Sequence, residues 1–184
     1  MSLPVQVPSV PVNFVPVKGG DIIKLGQITC RVLEDGSRTG KSRRATPSRV
    51  RLMNIDNRIG CAEFTLPPHT SGPPSHFHMM HDETFLTTQG TIRYHVPGKP
   101  DIDAKTGDFV SVPPRAPHTF SNPFDEEAKF FNTFTPAFYI NYFKLLSSLI
   151  ADGEQMTPEK NIQAMSQYAT IPIPKEYLEK HVGQ

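Results

Sequence analysis

HFHMMHDE, residues 76–83, sets three of the chain's seven histidines beside a glutamate within eight positions. Residues two apart on a strand share a face, so His76 and His78 send their imidazoles to one side. Glu83 follows five positions later, near enough along the chain to return to that side after a bend, and adds a hard carboxylate to two borderline nitrogens. His81 stands three from His78, an odd interval that faces the other way on a continuing strand, and is assigned to the loop. Taken alone, a His-X-His pair is more often two surface histidines than a metal site. What the flanking sequence adds therefore decides.

Around this stretch the chain is a series of short strand-like runs. DIIKLGQITCRVLED (21–35) is dense in β-branched residues and stops at Asp35-Gly36. RVRLMNI, CAEFTL (61–66), TFLTT (84–88), TIRYHV (91–96), DIDA (101–104), DFVSV (108–112), HTFS (118–121) and KFFNTF (129–134) follow from residue 50 onward. Turn pairs such as Gln89-Gly90, Pro97-Gly98 and Thr106-Gly107 separate them at the intervals of a sandwich or barrel. Nineteen prolines, twelve glycines and no tryptophan suit the same architecture. After Thr135-Pro136 the apolar period changes to helical, through Phe138, Tyr142, Leu145, Leu146 and Leu149, predicting a helix over 137–151. Thr157 as N-cap with Pro158 at the first helical position opens a second helix, to about Tyr168, and a short third helix is expected after Pro174.

GDFVSVPPRAPHTFSN, residues 107–122, supplies the other half of the histidine motif: a glycine turn, a β-branched strand, a rigid Pro113-Pro114 corner and His118 opening the next strand. Together the two blocks resemble the paired motifs of the cupin superfamily. His76, His78, Glu83 and Gly90 reproduce the spacing of the first motif, and Gly107, Pro113, His118 and Asn122 that of the second. Arg115 stands where the second motif usually has glycine, and the glycine expected before His76 falls at Thr70, with Gly72 nearby. Both departures are turn positions and leave the four donors in place. The resemblance implies a mainly β, single-domain, antiparallel jelly-roll barrel of the cupin (RmlC-like) type over residues 21–136. An extended arm (1–20) precedes it and helices (137–184) follow it. It also implies one divalent metal ion held by His76, His78, Glu83 and His118.

That donor set leaves a divalent ion with net positive charge and, in octahedral coordination, two open positions. Each ligating histidine is expected to pass its other ring nitrogen to an outer partner. Strand alternation puts Phe85 on the face of Glu83 and Phe120 on that of His118, making both candidate substrate-binding residues of the cavity wall. His69 and His95 are assigned to the surface or to an outer layer around the site.

The tail FNTFTPAFYINYF (131–143), followed by a helix and TPEKNIQAMSQYA, looks like that of quercetin 2,3-dioxygenase-like single-domain cupins. That likeness implies a non-heme dioxygenase acting with Fe(II), or with Mn, Ni, Cu or Zn, on a planar enol or phenol such as a flavonol. Glu83 would then double as a catalytic base. Two other functions share the donor set: a non-oxidative isomerase, cyclase or lyase using the metal as Lewis acid, and a non-catalytic small-ligand-binding barrel. Burying three histidines and a glutamate around nothing counts against the last.

Charge and composition exclude other classes. Nineteen basic against eighteen acidic residues give a net charge of +1, too weak a field to hold a nucleic acid or an anionic membrane. The basic stretch 36–49 is read as a solvated loop. Its Gly36 and Gly40 have three residues between them, and a phosphate-cradling loop needs four between its first glycine and Gly-Lys-Ser. Cys30 and Cys61 read as small buried hydrophobes of a reducing compartment. No signal-like or membrane-spanning run is present, so a cytoplasmic location is expected. The valine- and proline-rich arm reads as an extended terminus, or as an edge strand laid on the barrel or on a second subunit. Exchange of such arms would give a homodimer.

Overall fold

The computed structural model describes residues 12–37, 58–153, 157–174 and 176–177. Twelve strands occur among them, each paired antiparallel, in three sheets. The largest runs β1 (Asp21–Leu25), β2 (Ile28–Glu34), β3 (Gly60–Leu66), β11 (Ala128–Thr135), β6 (Asp82–Gln89), β9 (Phe109–Val112). Facing it is the order β4 (Thr70–Ser71), β10 (Thr119–Asn122), β7 (Thr91–His95), β8 (Ile102–Lys105), and a third sheet pairs β12 (Thr170–Pro172) with β5 (His76–His78). This is the jelly-roll barrel expected from the sequence.

Strict alternation builds its walls. Along β11, Ala128, Phe130, Asn132 and Phe134 are buried while the residues between them are partly exposed. Along β3, Ala62, Phe64 and Leu66 do the same. Their side chains meet Phe85, Ile92 and Tyr94 in one apolar core, with Phe64 and Phe130 stacked at 5.0 Å between centroids. A side chain the size of Leu or Phe contributes about 1.5–3 kcal/mol when fully buried, so the inward faces drive closure.

Two motif residues act on turns rather than on chemistry. Gly90 joins β6 to β7 at φ +65°, and a Cβ there would lie 2.8 Å from the Glu127 carbonyl oxygen, which leaves room only for glycine. Asn122 is fully buried; its amide donates to the carbonyls of Leu66, Pro67 and Glu126, and its oxygen accepts from the Phe124 N–H. It pins the corner between β3 and β10.

Several expectations change in detail. The stretch 21–35 is two strands, because Gly26 at φ +63° turns the chain back on itself. The helix expected over 137–151 begins as a 3₁₀ turn (Ala137–Tyr139) and continues as α1 (Ile140–Ala151). The second is α2 (Pro158–Gln167), with Thr157 Oγ1 accepting from the Lys160 N–H as its N-cap. Short β4 and β12 were not expected. The strand expected near 50–56 and nearly all of the basic stretch lie outside the described residues, as does the third helix apart from Glu176 and Tyr177, which are helical. The described part of the arm, from Val12, forms no strand.

Candidate metal centre

Strand β5 carries His76 and His78, β6 opens with Asp82 and Glu83, and His118 immediately precedes β10. The two histidine segments are tied backbone to backbone: His76 N–H donates to His118 O (3.0 Å) and His118 N–H to His76 O (2.9 Å). That pairing brings the distant imidazole beside the local two. Ring centroids stand 4.6 Å apart for His76 and His118, 4.7 Å for His76 and His78, and 5.3 Å for His78 and His118. Glu83 Oε2 lies 3.0 Å from His78 Nε2 and 3.2 Å from His118 Nε2. All four residues are buried.

The outer partners fix the tautomers. His76 Nδ1 meets the Pro74 carbonyl at 2.8 Å and His118 Nδ1 the Ala116 carbonyl at 3.1 Å; a carbonyl only accepts, so each Nδ1 carries the proton. His78 Nδ1 lies 2.9 Å from Thr170 Oγ1, whose own hydroxyl donates to Tyr168 O at 3.3 Å, leaving a lone pair for an Nδ1–H. Neutral rings held this way turn the Nε2 lone pairs of His78 and His118 towards one carboxylate oxygen, and a donor nitrogen of His76 lies within 4.8 Å of those of His78 and His118. Lone pairs converging on a point repel unless a proton or a cation sits among them, so the donor set fits a divalent cation.

Electrostatics agree with a neutral His76 ring. Burial, reinforced by the rings of His118 and His78, pushes His76 down to about 3. Burial raises the Glu83 carboxyl, but hydrogen bonds from His118 and His78, when their Nε2 is protonated, outweigh it and hold the group well below the usual carboxylate range.

A cavity of about 440 Å³ opens onto the cluster. From the barrel it is lined by His76, Glu83, His118, Phe120, Phe130 and Asn132, and from the helical appendix by Tyr139, Tyr142, Phe143, Leu146, Ile150 and Met165. Phe120 thus stands in the cavity wall. Phe85 does not: its ring is buried in the core at 5.2 Å from Phe130 and 5.1 Å from Tyr94. Sharing a face with Glu83 did not bring it to the cavity, because Phe120 and Phe130 stand there instead. His95 bonds Asp101 and Ser121 on the outer surface, and His69 pairs with Asp125, both away from the cluster.

His81 lies in the loop between β5 and β6, as expected, but it does not face away from the cluster. Strand β5 ends at His78, so alternation does not carry on to His81, and its ring turns inward, buried against His78 (4.0 Å) and Tyr139 (4.5 Å). Sequence reasoning also missed Thr170 and Tyr139. Thr170 lies ninety-two positions from the ring it supports, and nothing local marks it. Both reach the site because β12 pairs with β5, Thr170 opposite His78, and because the 3₁₀ turn packs against the cluster.

Arg115 explains its departure from the motif. It sits at φ +68°, the left-handed geometry that a glycine there would serve, and its N–H donates to His78 O at 2.6 Å. The turn is kept without the glycine.

Residues 62–134 match the family described as Cupin domain. No curated protein matches the chain. Among solved structures, an RmlC-like cupin from Shewanella frigidimarina is 16% identical, aligns over 68% of this chain and 92% of its own, with a TM-score of 0.50. KdgF from a Halomonas species is also 16% identical, over 68% of this chain and 94% of its own, with a TM-score of 0.51. At such identities the likeness is one of fold. The family match covers the segment 62–134, and the barrel built around that segment has the jelly-roll fold of the RmlC-like cupin.

Proposed function

We propose that the protein is a metal-dependent cupin enzyme, a non-heme dioxygenase acting on a planar, largely apolar enol or phenol. The supporting observation is the cavity wall. Aromatic and aliphatic side chains dominate it, and among the described residues that line it there is no lysine or arginine. A phosphorylated or polycarboxylate substrate would lose its hydration there with no cationic side chain to replace it. A substrate with a single acidic hydroxyl meets no such cost, and a cavity of about 440 Å³ accommodates a small multi-ring molecule.

A divalent ion, Fe(II) in first place, held by His76, His78, Glu83 and His118, would supply Lewis acidity and open positions at the cavity floor. The side chains do the rest. Phe120 and Phe130 offer ring faces at the cavity wall, and Tyr142, Phe143 and Leu146 cover it from the appendix, excluding water. Asn132, held by its amide to Thr84 O at 2.8 Å, presents its carbonyl oxygen as a fixed acceptor. Glu83 accepts the proton of the substrate hydroxyl.

The test is metal analysis of the purified protein with oxygen-electrode traces on flavonols and related enols. Bound metal in stoichiometric amount, with oxygen uptake lost in His76→Ala and Glu83→Gln, is the expected result. Turnover without oxygen uptake would replace dioxygenation by Lewis-acid isomerase or lyase chemistry. No bound metal and no turnover would leave a ligand-binding barrel.

A further inference from the structure

Five donors, not four, crowd the end of the barrel behind the cavity. His81 is 1% exposed, and neither Nδ1 nor Nε2 has a hydrogen-bond partner. Its ring is hemmed in by His78, Tyr139, Phe134 (5.9 Å) and Phe138 (5.4 Å), which offer it faces and edges. A buried polar group left unpaired is costly, and two on one ring are uncommon unless something outside the protein completes them. The surroundings indicate what. Besides the group His76, His78 and His118, a second set, His78, His81 and Glu83, brings one donor atom from each residue within 4.8 Å of the others. The two sets share His78. His81 is absent from the cavity lining, so it approaches the cluster from the side away from the substrate.

We infer that His81 is a fifth protein donor to the divalent ion. This rests on the four-donor metal centre proposed above and extends it. A fifth protein donor would leave the ion fewer positions for exogenous ligands than the four-donor set does. Metal binding would satisfy one of the two ring nitrogens that the metal-free protein leaves without a partner.

Pulsed EPR of the Cu(II)-loaded protein counts coupled imidazoles without needing any turnover. Four are expected in the wild-type protein and three in His81→Phe and His81→Leu, which suit the aromatic surroundings. Competition of Co(II) against a chromogenic chelator should show affinity reduced about 10–100-fold in both variants. The metal-free Tm should stay level or rise, because the unpaired nitrogens are gone. Three imidazoles in the wild type, or a lowered metal-free Tm with affinity unchanged within twofold, would reduce His81 to a packing residue and overturn the inference. Failure of the wild type to bind either ion at all would instead remove the four-donor centre itself.

Discussion

Replacing Thr170 by valine isolates the link between the helical appendix and the metal centre. Thr170 is fully buried, and valine nearly matches its volume, so no cavity opens; only the hydroxyl is lost. His78 Nδ1, 2.9 Å from that hydroxyl, becomes a buried donor with no acceptor. An unsatisfied buried donor costs about 1–3 kcal/mol of stability. In a chain of this size that lowers Tm by about 2–4 °C for each kcal/mol. The orientation of the ligating ring is lost at the same time. Outer partners of this kind are worth about 10–100-fold in metal affinity, or about 1.4–2.7 kcal/mol at tenfold per 1.4. Thr170→Ser keeps the hydroxyl and serves as control. Chelator competition with Co(II), beside urea unfolding of the metal-free protein, measures both effects. A valine variant that binds Co(II) within twofold of wild type would refute the claim that β12 orients His78.

Three further expectations concern the frame of the site and its assembly. Arg115→Gly should leave stability within about 1 kcal/mol of wild type, since relief at φ +68° is offset by the unfolded chain's greater freedom. Arg115→Val, β-branched at the same angle, should cost about 1–3 kcal/mol and weaken Co(II) binding through the bond to His78 O; equal behaviour of the two variants in urea and chelator titrations would contradict this. Lys144 of α1 meets Asp35 at 2.6 Å, and this hydrogen bond, opposed by burial, holds the carboxyl below its ordinary 3.8. As pH falls the unfolded chain therefore takes up that proton first, so the stabilisation is present above the ordinary value and is lost below it. Because Lys144 is partly exposed, Lys144→Met should cost only about 0.5–1 kcal/mol at pH 7 and less at pH 3, and an equal gap in urea stability at both would disprove the coupling. We also expect a homodimer, since Phe109 on edge strand β9 is 62% exposed beside exposed Leu86, and Val12, Phe14 and Val17 of the arm are uncovered; a monomeric mass by light scattering at micromolar concentration would dismiss it.

What the sequence made legible was whatever depends on neighbours along the chain. Period-two alternation announced β3, β6, β7 and β11, and the convergence of His76 with His78 follows from the same rule. His118 was placed by the resemblance of Gly107, Pro113, His118 and Asn122 to the second cupin motif, not by alternation. Contacts made across the fold left no such trace. Thr170 is one threonine in a polar tail until β12 pairs with β5. His81 lies in its expected loop, but strand parity, which turned it away from His78, does not apply past the end of β5. Phe85 and Phe120 have equal claims by alternation, and only the opposing sheet decides which ring reaches the cavity.

The pairing of β12 with β5 also orders events during synthesis. All four donors leave the ribosome well before Thr170 does, so a nascent chain carries a complete donor set while His78 still lacks its anchoring hydroxyl. An ion held at that stage would be bound with that ring still unanchored, and so about 10–100-fold more weakly.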